Sequence, residues 1–113
     1  MKKEIFEGLK YTVINALITE YQKSKDIEYR NELLEVINIL NNFLNYNKFE
    51  ENCKTQELPI IKGDNILKIR NIAVSSIYNA QIESIEKNII LVELTKFFSK
   101  SIDPQQIEKI IKK

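Results

Sequence analysis

The chain of 113 residues has no histidine and no tryptophan, one cysteine, two glycines and two prolines. Without histidine it lacks the commonest general base and the commonest metal ligand of proteins. The single cysteine, Cys53, excludes an intramolecular disulfide and a thiolate metal cluster, and it is typical of a reducing cytoplasm. Two glycines are too few for a phosphate-binding loop or a dinucleotide fingerprint. These absences predict a cytoplasmic protein that is not an enzyme and holds no cofactor or metal.

The scarcity of glycine and proline also bears on the fold, because an all-β domain needs turn residues every 8–12 positions or so. The length suits one hydrophobic core, so a single domain over 1–113 is expected. The longest apolar run, Ile89–Val92, is far too short to cross a bilayer, and Glu4 and Glu7 interrupt any signal-like start. The composition predicts an all-α fold, a bundle of four or five amphipathic helices.

The 3.6-residue period predicts where these helices lie. The expected ranges are about 3–24, 27–47, 65–82, 85–100 and a short fifth helix at 104–112. The first has the apolar stripe Phe6, Leu9, Val13, Leu17 and Tyr21. The second has Tyr29, Leu33, Val36, Leu40 and Phe43. The third has Ile66, Ile69, Ile72/Ala73, Ile77 and Ala80, and the fourth has Ile85, Ile89, Val92 and Phe97.

Local signals mark the helix starts. Ser24 or Asp26, Asp64 and Ser84 are candidate N-caps, and Asp103-Pro104-Gln105-Gln106 combines a cap with proline at the first helical position. A polar stretch separates the third and fourth helices, although one long helix over 65–99 remains an alternative. Between 48 and 62 the periodicity lapses, and the apolar residues expected to anchor this connection are Leu58, Ile60 and Ile61.

Interpretations that give particular residues a catalytic or metal-binding role are disfavoured. An acid/base pair at Glu50-Glu51 lacks a partner that would separate the two pKa values. A nucleophilic Ser75 or Ser76 would need lysine as its base, since histidine is absent. Carboxylate pairs at helical spacing are better explained as solvated faces than as cation sites; these pairs are Glu28 with Glu32 and Glu83 with Glu86.

Charge does not favour nucleic acid. The net charge is +1, divided as −2 over residues 1–57 and +3 over 58–113, and arginine occurs only at Arg30 and Arg70. Nucleic-acid-binding proteins usually carry a dense basic patch. Isoleucine, lysine and asparagine make up 47 of the 113 residues, which is typical of a low-GC bacterial genome.

One stretch carries a family resemblance. Residues Leu17–Tyr29, LITEYQKSKDIEY, followed by Leu33-Leu34-Glu35-Val36, resemble the enterocin A immunity family, small proteins that protect producers of pediocin-like bacteriocins. In that family, too, a first helix ends in a Ser-Lys-Asp-type turn before a leucine-rich second helix. A weaker similarity runs through Ile77-Tyr78-Asn79-Ala80 to Ser84.

The resemblance implies a cytoplasmic antiparallel four-helix bundle that acts without catalysis. The family binds the mannose phosphotransferase receptor with its bound bacteriocin from the inside, and its carboxy-terminal half sets specificity. In this sequence that half is the more basic one, so we expect four lysines to contact the partner: Lys96, Lys100, Lys109 and Lys112. Peripheral association with the membrane and the oligomeric state are left open.

A second interpretation fits the same residues. A phage- or plasmid-encoded helical inhibitor or adaptor of the anti-defence type would also be small, lack catalytic side chains and bind a host protein through a helix face. The neighbouring gene would distinguish the two, because a bacteriocin precursor beside this one favours immunity.

Overall fold

A computed structural model describes residues 2–48 and 63–101. These residues form four α-helices and no β-strand: α1 (Lys3–Lys23), α2 (Ile27–Phe43), α3 (Ile66–Tyr78) and α4 (Ser84–Ser101). A 3₁₀ turn, Tyr46–Lys48, follows α2. The all-α prediction is confirmed. The predicted fifth helix at 104–112, its cap at Asp103, the anchors Leu58, Ile60 and Ile61, and the pair Glu50-Glu51 lie outside the described residues.

The core is organised around α1, which packs against each of the other three helices. Its buried stripe is Phe6, Leu9, Val13 and Leu17, each with no solvent exposure. These residues recur at helical spacing, as predicted, while Tyr21 and the flanking Ile14 and Ile18 are partly buried at the edge. Burial of each such side chain contributes about 1.5–3 kcal/mol, so this stripe is a large source of stability.

The predicted stripe of α2 is also confirmed, since all five of its residues are buried. The helix ends at Phe43, four residues before the predicted end. The Leu44 N–H still donates to the Leu40 carbonyl at 2.9 Å, but Leu44 has left the helical conformation. Beyond it, Asn47 N–H donates to Asn45 Oδ1 at 3.0 Å. Asparagine side chains that bond the nearby backbone compete with helix continuation.

Of the predicted caps, Asp26 is confirmed and Asp64 is wrong. Asp26 Oδ1 accepts hydrogen bonds from the N–H groups of Glu28 and Tyr29 at 3.0 and 3.4 Å. The third helix begins at Ile66, so Asn65 occupies its cap position and makes no side-chain cap bond. Asp64 lies one residue too far from the first turn to cap it.

The break between α3 and α4 is confirmed, which excludes the alternative of one helix over 65–99. The third helix ends at Tyr78 rather than 82, and the Ala80 N–H bonds the Ile77 carbonyl at 3.1 Å. The first backbone bond of α4 runs from the Lys87 N–H to the Glu83 carbonyl at 3.1 Å. Glu83 rather than Ser84 therefore precedes the helix as its cap-position residue.

The predicted face of α4 is largely wrong. Ile85 is 73% exposed and Val92 is 50% exposed, and of the predicted stripe only Phe97 is fully buried. The residues that enter the core are Ile90, Glu93, Leu94, Phe97 and Phe98. By the 3.6-residue period, Leu94 lies half a turn around the helix from Ile85. The helix thus carries apolar residues on two opposite faces, and periodicity alone does not choose between them.

Aromatic packing explains which face of α4 is inside. The Phe97 ring lies 5.3 Å from the Phe43 ring of α2 and 5.0 Å from the Phe98 ring, centroid to centroid. Phenylalanine buries more apolar area than the isoleucines on the other face, so the pair decides the orientation. Across residues 2–48 and 63–101, no helix has the length and hydropathy needed to cross a membrane.

A matched pair of substitutions tests the orientation of α4. We expect Ile90→Ala to lower the free energy of unfolding by about 2–5 kcal/mol, because it leaves a cavity in the core. Ile85→Ala should change it by less than about 0.5 kcal/mol, because that side chain is exposed. Urea denaturation measures both. If Ile90→Ala does not fold, Ile90→Val gives a milder loss of the same sign. The reverse order would contradict the observed face.

The capping role of Asp26 gives a second prediction. Asp26→Ala should lower the free energy of unfolding by about 1 kcal/mol, because two backbone N–H groups at the start of α2 lose their acceptor. Asp26→Asn keeps an acceptor oxygen and should stay near the parent protein. Equal stability of all three proteins in urea would show that the cap does not hold the turn.

Candidate functional site

The turn between α1 and α2 is tightly bonded. Besides the two bonds to Asp26, the Asp26 N–H donates to Ser24 Oγ at 3.2 Å, and the Ser24 N–H donates to the Glu20 carbonyl at 3.0 Å. This turn lies within the stretch that resembles the immunity family. The side chains of Ser24 and Asp26 accept hydrogen bonds from nearby backbone N–H groups. The turn is therefore a defined corner between the two helices.

Next to this corner, three helices meet at the ring of Tyr29. Tyr29 is 5% exposed, and its hydroxyl donates to Glu20 Oε1 of α1 at 3.4 Å. Lys68 of α3 places its Nζ 4.4 Å from the ring centroid, a cation–π contact. Burial, followed by the charge of Glu20, its hydrogen bond and the charge of Glu32, raises the pKa of Tyr29 to about 12. This phenol is neutral at physiological pH and serves as a structural hydrogen-bond donor.

Two partly buried charged side chains, Arg30 and Glu32, complete this cluster. The Arg30 guanidinium lies 4.4 Å from the Tyr21 ring centroid. Arg30 Nε and Glu32 Oε2 are both shielded from solvent without a hydrogen-bond partner among the described residues. The Glu32 carboxylate lies against Gly63, where an added Cβ would overlap it. The cluster joins α1, α2 and the residues just before α3. The spacing of residues in the sequence does not predict it.

A broad groove, open to solvent, lies between the start of α1 and the segment that joins α3 to α4. Its volume is about 1110 Å³. The residues along it are Glu4, Ile5, Gly8, Tyr78, Asn79, Ala80, Gln81, Ile82, Glu83, Glu86 and Lys87. The lining of the groove therefore combines apolar side chains with carboxylates. Sequence analysis singled out Glu83 and Glu86 as a pair but could not place Glu4 and Gly8 beside them.

The outer face of α4 is a second surface. It exposes Ile85 and Val92, with the half-buried Ile89 between them. This outer stripe, Ile85-Ile89-Val92, is the one that the sequence predicted to be core. Lys96 lies one turn beyond it, and its Nζ is 3.9 Å from Oε1 of the buried Glu93.

The structure describes two of the four lysines that were predicted to bind the partner. The side chain of Lys96 is one-third exposed and paired with Glu93 of the same helix. This carboxylate partly offsets the charge of Lys96. Lys100 belongs to the last turn of α4. Lys109 and Lys112 lie outside the described residues, so their role stays a prediction.

The other candidate groups have local roles. Ser76 Oγ donates to the Ala73 carbonyl of its own helix at 2.6 Å, and Ser75 is exposed. Within the described ranges, no group of three or more acidic or thiol side chains is arranged to hold a metal ion.

Comparisons of the chain with protein-family models, with curated proteins and with solved structures gave no match.

The Tyr29 environment predicts an alkaline titration. The pKa of Tyr29 is about 12, so Tyr29→Phe should remove a late component of the tyrosinate absorbance. Because the folded pKa lies above the usual value of 10.0, this group's contribution to stability is intact below pH 10 and is lost as pH rises towards 12. Glu20→Gln should lower the pKa of Tyr29 while leaving it raised by burial. A late component that persists in Tyr29→Phe would contradict the assignment.

Proposed function

We propose that this chain is a bacteriocin immunity protein that protects its producer cell by binding, without catalysis, to the bacteriocin-bound mannose phosphotransferase receptor. In this proposal it is a cytoplasmic antiparallel four-helix bundle with a short fifth helix at 104–112. The observation that carries the proposal is the corner at Ser24-Lys25-Asp26, where the stretch resembling the immunity family forms two helices joined by an aspartate-capped turn. That is the local structure the resemblance implies.

The absence of histidine and the single cysteine support a binding role, because the usual general base and thiolate chemistry are not available to the chain. Binding proteins instead need exposed apolar area with a polar surround. The outer stripe of α4 meets this description, since its isoleucine and valine side chains are 73% and 50% exposed. It also lies in the carboxy-terminal half, which the resemblance implies is the half that sets specificity.

The four lysines extend this surface in the proposal. Lys96 and Lys100 follow the outer stripe along α4, and Lys109 and Lys112 continue the basic half of the chain. Their charges would steer the protein towards an acidic receptor surface or the anionic inner face of the membrane, where the receptor lies. The apolar stripe would then supply the short-range contact.

Expression in a bacteriocin-sensitive strain tests the proposal. We expect survival against at least one member of a panel of pediocin-like peptides. Val92→Glu should abolish protection while the protein stays folded, because the position is exposed. Leu34→Glu, at a similarly exposed apolar position on α2, is the matched control and should still protect. Unchanged killing across the whole panel would contradict the proposal.

The rival, an inhibitor or adaptor encoded by a phage or plasmid, would give a different result. Affinity purification from the same cells should then recover a nuclease or another defence factor and no phosphotransferase component. Recovery of the phosphotransferase that is lost in Val92→Glu would favour immunity.

A further inference from the structure

The groove between α1 and the α3–α4 connection has a lining that suits a cationic partner. Ile5 and Ile82 are partly buried against the core and supply apolar side chains to its lining. Among the described residues, its lining contains three carboxylates, those of Glu4, Glu83 and Glu86, and one ammonium group, that of Lys87. The groove is therefore amphipathic, with excess negative charge on a protein whose net charge is +1.

The charge excess is larger than helix stabilisation requires. Glu4 and Glu86 lie in the first turns of α1 and α4, where a carboxylate offsets the partial positive charge of about half a unit at each helix start. Glu83 adds a third carboxylate just before α4. The Lys87 Nζ donates to the Tyr78 carbonyl at 3.0 Å, so the one cation is held by the backbone. The net charge of the lining stays negative after all these contributions.

Gly8 is an independent observation. It lies within α1, where glycine destabilises a helix relative to alanine. No described residue requires glycine there, because a Cβ built at this position meets no atom of the described ranges within 4 Å. Yet Gly8 lines the groove, and a missing side chain leaves room for another molecule to approach the helix backbone.

Tyr78 supplies the third feature. Its ring is 64% exposed at the end of α3 and lines the same groove. An aromatic face attracts a lysine ammonium or an arginine guanidinium, and tyrosine is enriched at protein interfaces. A large, exposed ring that shares the groove lining with three carboxylates is a suitable environment for such a cation.

We infer that this groove binds a lysine- or arginine-containing amphipathic segment of a protein partner. The apolar side of the segment packs on Ile5, Gly8 and Ile82, and its cations contact the carboxylates and the Tyr78 ring. This site is separate from the outer stripe of α4 and does not depend on the proposed function.

The test uses labelled synthetic peptides and the full chain. One peptide places lysine and leucine on opposite faces of a helix, and two matched peptides replace every lysine with glutamate or with glutamine. Fluorescence anisotropy at low salt should show binding of the lysine peptide and much weaker binding of the other two. Chemical-shift changes in the protein should include the amides of Gly8 and Tyr78.

Variants assign the binding to the groove. The triple variant Glu4→Gln, Glu83→Gln, Glu86→Gln should weaken the affinity about tenfold, the result expected from several weak, partly screened ion pairs. Removing equal charge elsewhere, with Glu7→Gln, Glu28→Gln and Glu35→Gln, should change it far less, since these exposed residues do not line the groove. Equal losses in the two triple variants would overturn the inference, since they would indicate only general attraction.

Gly8 provides a steric test. Gly8→Ala should raise Tm and keep most of the affinity, whereas Gly8→Leu should fold but lose at least about tenfold. Full affinity in a folded Gly8→Leu, or no binding of the lysine peptide at all, would overturn the inference. Self-association of the protein that Gly8→Leu abolishes would assign the groove to a second copy of the chain and would also overturn it.

Discussion

The burial of one face of α1 is the constraint on which the rest of the structure depends. Four of its side chains have no solvent exposure, and the three other helices all pack against it. Each of those helices must therefore direct an apolar face towards α1, which leaves its opposite face outside. The outer face of α2 exposes Ile27 and Leu34, and that of α4 exposes Ile85 and Val92. The helix α4 has two apolar faces, and only one of them can pack in the core. The apolar residues of the other face are therefore exposed.

Polar interactions hold this arrangement at one end. The corner before α2 is bonded through Asp26, and Tyr29 brings together Glu20 of α1 and Lys68 of α3. Tyr29 is buried, whereas Glu20 is partly buried and Lys68 is exposed, so these contacts satisfy a buried hydroxyl while the charged groups stay at or near the surface. The opposite end of α1 contributes instead to the open groove, where carboxylates remain on the surface. The two ends of one helix thus serve different purposes, one structural and one available for binding.

Much of the fold could be predicted from the sequence, for identifiable reasons. On α1 and α2 the stripe predicted from the helical period supplies most of the buried residues, Phe6 to Leu17 and Tyr29 to Phe43. The period fails for α4, where the contact between Phe97 and Phe43, distant in sequence, decides the face. The helix ends were predicted less accurately. Asparagine side chains and single-residue shifts of the cap position determine them locally. The groove could not be predicted, since Glu4 and Gly8 lie more than seventy residues from Glu83 and Glu86 in the chain.

The central claim is that the core around α1 takes in one face of α4 and leaves the other on the surface. Methyl NMR of isoleucine-labelled protein with a soluble paramagnetic probe tests it most directly. The claim predicts strong broadening of Ile85 and Ile27, each 73% exposed, and sharp signals for Ile66, Ile77 and Ile90, which are almost fully buried. Strong broadening of Ile90 together with a protected Ile85 would contradict it.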